Sequence, residues 1–259
     1  MLCPCTHAQE DEPLMFPPTR GELGQSAAGP RGQVGDGKFS ALVGDVAEVP
    51  TARGGAAGPK LSEEELKRKT GVLLEEYLAN SDDKEAVLTV QELNAPEFMS
   101  QLVYMALEKL LDVLRPRDQQ LVVQLVAVLF AGGMLTKEDV SSGFMTFGEA
   151  LEDLAVDYPM APKLLGAFMG RLVAEGALSM GLLNDILERL SYCSQRREFA
   201  AAVFQACRAK GGDAVVSQKC RESAISAGVL LKHDPEMDGK MDEVEVFLKA
   251  EGLAGVVPL

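Results

Sequence analysis

Two acids four residues apart, Asp153 and Asp157 in the stretch "EDLAVDYP" (Glu152 to Pro159), have the type and spacing that most invite a chemical reading. On a helix the two carboxylates share one side and repel, and near a helix C-terminus they oppose the negative end of the backbone dipole. Each penalty is a few tenths to roughly 1 kcal/mol. A pair placed at such a cost is suited to meeting basic side chains of a partner. Catalysis has little to work with. The chain has two histidines, His7 and His233. It shows no nucleophile elbow, no phosphate-cradling Gly-rich loop and no zinc-ligand cluster. The protein is read as a non-enzyme that needs no cofactor.

A calcium reading is weighed at "DPEMDGKMDEVE", Asp234 to Glu245. Asp234, Glu236 and Asp238 take the first, third and fifth places of a calcium-binding loop, Gly239 the sixth, Met241 the eighth and Glu245 the twelfth. Pro235 stiffens the second place, Glu236 is bulky at the third, and no second loop is present. An acidic interhelix loop with a Gly turn looks the same, so no metal is expected. The five cysteines, Cys3, Cys5, Cys193, Cys207 and Cys220, are scattered and odd in number, which suits a reducing compartment. "CPCTH" near the start offers too few ligands for a metal.

The net charge of −14 repels phosphate backbones and anionic lipid. Direct nucleic-acid binding and membrane association are therefore not expected, and a partner with a basic surface is. The longest apolar run, Leu121 to Phe130, is too short to span a bilayer. The N-terminus lacks a basic-then-apolar signal pattern. These features predict a soluble, cytoplasmic, monomeric protein.

The elements that must position the acids are helical. Leu, Ala, Val, Glu and Met dominate the chain, aromatics make up 5%, and no segment alternates with a period of two. Residues 1–59 are rich in Gly, Pro and small polar residues and read as a disordered tail. From Leu61 the pattern changes. Ser62 and Glu65 form a capping box ahead of Leu66, Leu73, Leu74, Tyr77 and Leu78. Ser81 is expected to cap a second helix, and Pro96 to open a third. A mostly apolar helix follows Pro116 and closes at Gly132 and Gly133. Thr136 opens a single helix carrying Phe144, Phe147, Leu151 and Leu154 on one face. After Pro159 come helices ending near Gly176 and Leu190, with Ser179 capping the latter, and further helices toward the C-terminus. Helices of this length with short connections predict an all-α, HEAT-like array of antiparallel helix pairs. The expected division is a tail over 1–59, a helical domain over 60–190 and a helical extension over 191–259.

The ordered set "SEEEL", "EEYL", "KEAV", "ELNAPEF", "LTKEDVSSGF" and "EDLAVDYPMAPKLLGAFMGRLVAEGAL" resembles the MA-3 (or MI) domain over about Leu61 to Leu190. That domain is found in eukaryotic translation initiation factor 4 gamma and in the programmed-cell-death translation suppressor. One such domain followed by a modest helical tail is most similar to the plant-type isoform of the scaffold. The resemblance implies an adaptor that binds the DEAD-box RNA helicase of initiation, eukaryotic initiation factor 4A, or an inhibitor of that helicase using the same contacts. It also implies that Asp153, Asp157 and Pro159, with Glu152 beside them, are the partner-binding residues. "NAPEF" (Asn94 to Phe98) is a second family-like turn. Spacing alone leaves another reading open, in which Asp157 caps the following helix and Asp153 is solvated; capping and contact can coexist.

Overall fold

The computed structural model describes residues 61–228 and 240–259, and among these the regular structure is helical throughout. The Gly/Pro-rich segment 1–59 and the first half of the calcium-like loop, residues 234–239, lie outside the described residues. Local signals set most helix starts. Helix α1, Glu63–Asn80, begins at the capping box: Glu65 N donates to Ser62 Oγ at 3.3 Å, and Ser62 N to Glu65 Oε2 at 3.1 Å. Helix α2, Asp83–Leu93, is capped by Asp82, whose Oδ1 accepts from Lys84 N and Glu85 N. Ser81, expected in that role, instead ends α1 in the left-handed conformation, φ 56°. An Asp one position later caps as well as a Ser, which frees Ser81 for the stop.

Pro96 opens a single 3₁₀ turn, Pro96–Phe98, and helix α3 follows as Met99–Asp112. Helix α4 is Pro116–Ala131, with proline where no N–H is needed. Helix α5, Lys137–Glu149, starts at a second capping box formed by Thr136 and Asp139. Three more helices complete the central part: α6 (Leu151–Asp157), α7 (Ala161–Glu175) and α8 (Leu182–Arg189). At the start of α8, Ser179 Oγ accepts from Gly181 N at 3.1 Å, one residue outside the helix, rather than serving as the N-cap itself. Helix α9 runs Cys193–Glu222 and is broken at Gly212, where φ is 78°. Helix α10 is Met241–Ala250.

These helices stack in two layers. Helices α1, α3, α5 and α8 neighbour one another in one layer, and α2, α4, α7 and α9 in the other. Glycines set the closest approaches. A methyl group at Gly143 of α5 would lie 2.4 Å from the Ser100 carbonyl of α3, and one at Gly170 of α7 would lie 2.1 Å from the Val203 carbonyl of α9. Only glycine allows backbones this near. The register of α3 on α5 is parallel: Gly143 meets Ser100 and Val103, and Phe147, one turn on, meets Tyr104 with ring centroids 5.2 Å apart. Phe144 and Phe168, with centroids 6.1 Å apart, tie the layers together. The apolar core is continuous from Leu66 to Val257. Because like helices run parallel, the connections α1–α2, α3–α4, α5–α6–α7 and α8–α9 all emerge at one end of the array. Arg189 at the end of α8 pairs with Glu149 at the end of α5, which confirms this.

Candidate partner-binding corner

The acids sit where the chain crosses between layers. Helix α5 stops at Glu149, and Ala150 leaves regular geometry at φ −93°, ψ −1°. Just before the break Gly148 packs against Ile186 of α8, where a methyl group would lie 2.3 Å from Ile186 Cδ1. The single helix expected from Thr136 through Leu154 is therefore two helices. Leu151 begins α6 and is fully buried; Ala155 is buried one turn later and Leu154 is half-buried. These three hold α6 down.

The break changes the electrostatic argument. Glu152 and Asp153 fall in the first turn of α6, where negative charge is favoured. Only Asp157, the last residue of α6, opposes the dipole. Tyr158 N donates to Leu154 O at 2.7 Å, and the residue then turns away at φ −124°, ψ 83°. That is the conformation the following Pro159 imposes. Ala161 N closes the turn on Tyr158 O at 2.8 Å. Helix α7 has Met160 as its N-cap and no side-chain capping bond, so Asp157 does not cap it.

Asp153, Asp157 and Pro159 are exposed. Among the described residues neither acid has a hydrogen-bond or ion-pair partner. Glu152 differs. It is half-buried, and its Oε2 accepts from Ser191 Oγ at 3.0 Å and from Ser191 N at 3.3 Å, which fastens the corner to the α8–α9 turn. The structure thus groups Asp153, Asp157 and Pro159 on one bare surface and gives Glu152 a partner within the chain.

Three apolar side chains share that surface. Val156 is 78% exposed, Met160 47% and Tyr158 40%. Sequence reasoning missed them because periodicity searches for the buried stripe. The available signal was Val156, an apolar residue set off the Leu151–Leu154–Ala155 stripe. Exposed apolar and acidic side chains thus lie side by side at this corner.

The other singled-out residues lie elsewhere. Asn94 ends α2 in the left-handed conformation, φ 47°, and the Pro96–Phe98 turn lies at the opposite end of the array. Glu245, the twelfth place of the calcium-like loop, is in α10 and pairs with Lys249 at 2.9 Å. Cys207 and Cys220 are buried, and burial pushes both thiols up to about 11. Among the described residues no helix is long and apolar enough to cross a membrane.

Comparison with known proteins gives a match to the MA3 domain over residues 66–179. The chain is 26% identical over 211 residues to eukaryotic translation initiation factor 4G of Oryza sativa subsp. japonica, covering 78% of this chain and 12% of the relative. It is 32% identical over 127 residues to MA3 domain-containing translation regulatory factor 2 of Arabidopsis thaliana, covering 49% and 18%. Against human eukaryotic translation initiation factor 4 gamma 3 it is 35% identical over 123 residues, covering 46% and 8%. The chain thus spans less than a fifth of the length of these relatives.

Proposed function

We propose, from the match to the MA3 domain over residues 66–179 and the likeness to translation factors, that this chain is a non-enzymatic adaptor of translation initiation. Its partner is the DEAD-box helicase eukaryotic initiation factor 4A, bound through the α6–α7 corner. One observation carries this reading: Asp153 and Asp157 stand exposed and unpaired beside Val156, Tyr158 and Met160, on a surface held rigid from below by Leu151 and Ala155. A basic surface with apolar sockets complements it. Desolvation on docking strengthens each charge pair, and removing one side of such a pair costs about 2–5 kcal/mol.

The test is charge reversal. Asp153→Lys with Asp157→Lys in the full chain is expected to weaken helicase binding at least tenfold, about 1.4 kcal/mol. Both side chains are exposed, so helical circular dichroism should be unchanged. Reversing Glu63 and Glu64, on α1, is the control and should have a smaller effect. A double variant that folds and binds like the parent removes the corner from the interface. Helicase ATPase measured with saturating protein separates an adaptor, which raises turnover, from a suppressor, which lowers it.

A further inference from the structure

One hydroxyl helps to fasten the corner to the rest of the chain. Ser191 Oγ donates to Glu152 Oε2 at 3.0 Å, and Ser191 N donates to the same oxygen at 3.3 Å. Both bonds end on a carboxylate, which makes them stronger than bonds between neutral groups. Helix α6 has seven residues, and a helix that short does not sustain itself in water. Burial of Leu151 and Ala155 fixes its underside, and the Glu152–Ser191 bonds fix its first turn to the α8–α9 link.

Ser191 is also placed to be reached from outside. It is exposed, in the non-helical link between α8 and α9. Leu190 before it (φ −83°, ψ 125°) and Tyr192 after it (φ −88°, ψ 124°) are both extended, the backbone shape in which protein kinases take up their substrates. Arg189 precedes it by two positions, and Arg196 and Arg197 follow, which suits an arginine-directed enzyme.

We propose that Ser191 is a phosphorylation site, and that its phosphate unfastens the α6–α7 corner from the α8–α9 link. The consequence for docking rests on the corner reading above. In the transfer, Ser191 Oγ bonds to the γ-phosphorus of ATP, the bond to the bridging oxygen breaks, ADP leaves, and the hydroxyl proton passes to the kinase. Ser191 then lacks the O–H that Glu152 accepts and carries a charge of about −1.5 to −2. Two anions repel where a donor and an acceptor stood 3.0 Å apart. Arg189, which now donates to Asp185 O at 3.0 Å and lies 3.5 Å from Glu149 Oε1, is the near cation for the phosphate. Turning toward it carries Ser191 away from α6. The added charge attracts a basic partner, but an exposed charge is screened by salt. Losing the bonds counts for more, because docking must then order α6 as well. The net result is weaker docking.

The experiment has two parts. The full chain is incubated with ATP in a eukaryotic cell extract, and the recovered protein is mapped by mass spectrometry. Phosphate on Ser191 is expected; phosphate only elsewhere, or nowhere, overturns the assignment. Ser191→Asp is then compared with Ser194→Asp in the full chain. Ser194 is exposed, in the first turn of α9, and among the described residues has no bond to α6. Ser191→Asp should lower the thermal midpoint by roughly 2–4 °C. It should speed amide exchange over residues 151–157 and weaken helicase binding at least about fivefold. Ser194→Asp should do none of these. Adding Glu152→Gln to Ser191→Asp gives the new carboxylate an amide donor and should restore the midpoint and the exchange protection. If Ser194→Asp matches Ser191→Asp, or Glu152→Gln restores nothing, repulsion at this contact is not the cause and the proposal falls. If Ser191→Asp melts, exchanges and binds like the parent while the corner reversal abolishes binding, the switch is wrong and the corner reading stands. If Ser191→Asp frees α6 but the corner reversal leaves binding intact, the fastening role of Ser191 stands and the corner reading falls.

Discussion

Two of the proline-bearing connections between the layers lie at opposite ends of the array and treat their apolar residues in opposite ways. In the α2–α3 turn, Asn94 leaves the helix at φ 47°, and Ala95 and Phe98 fold underneath, 7% and 5% exposed. In the α6–α7 corner, Tyr158 leaves at φ −124°, and Val156, Tyr158 and Met160 stay outside. Both prolines do the same local job, ending one helix path and admitting the next. Burial is decided by what lies across the turn. Phe98 finds the core; Tyr158 finds solvent. A turn that hides its apolar groups stabilises the fold, whereas one that displays them has a free surface to offer.

The sharpest way to break this comparison is through stability. Phe98→Ala empties a core position and should cost about 3–5 kcal/mol in denaturant unfolding. Tyr158→Ala removes an exposed ring and should stay within about 0.5 kcal/mol of the parent. Equal losses at the two sites would mean that Tyr158 is part of the fold and the contrast is false.

Binding should reverse the order. Val156→Ser with Tyr158→Ala is expected to weaken helicase affinity about tenfold, near 1.4 kcal/mol, with an unchanged unfolding curve. A folded Phe98 variant such as Phe98→Leu should bind normally. An affinity loss at Phe98→Leu that matches the corner's would dissolve the distinction between hidden and displayed turns.

A smaller effect distinguishes Glu152 from its acidic neighbours. Its carboxylate holds Ser191 through two hydrogen bonds, so Glu152→Ala should destabilise the chain by about 1–2 kcal/mol. Ser191→Ala should lose part of the same energy, and the double variant less than the sum. Additive losses would show that the two residues act independently.

The sequence was most readable where the physics is local. Both capping boxes, Ser62 with Glu65 and Thr136 with Asp139, join residues three apart, and the all-helical class follows from periodicity. It was least readable where contacts come from far along the chain. Gly148, beside the break at Ala150, packs against Ile186 of α8, and Glu152 reaches Ser191 across 39 residues. Neither partner is marked by spacing. The corner acids were legible as a pair, but their placement was misread: with one long helix both oppose the dipole, and with two helices only Asp157 does.

That corrected placement gives the smallest and most discriminating test, because the two acids should respond with opposite tendencies. Asp153 lies in the first turn of α6, and its charge is favoured there by about 0.3–1 kcal/mol. It also repels Asp157 four residues on, which costs about 0.2–0.5 kcal/mol. In Asp153→Asn the two effects oppose, and the net change should be near zero or slightly destabilising. In Asp157→Asn they add, since the substitution removes both the repulsion and a negative charge from the C-terminal turn. That variant should be more stable by about 0.5–1 kcal/mol, a rise of roughly 1–4 °C in the thermal midpoint for a chain of this size. Added salt should shrink the difference, because exposed charges are screened. If Asp157→Asn lowers the midpoint instead, Asp157 makes a stabilising contact within the chain, and the display of both acids to a partner would have to be abandoned. If it raises the midpoint while weakening helicase binding, stability and recognition are opposed at one side chain, which is the conflict expected where a surface is kept for a partner.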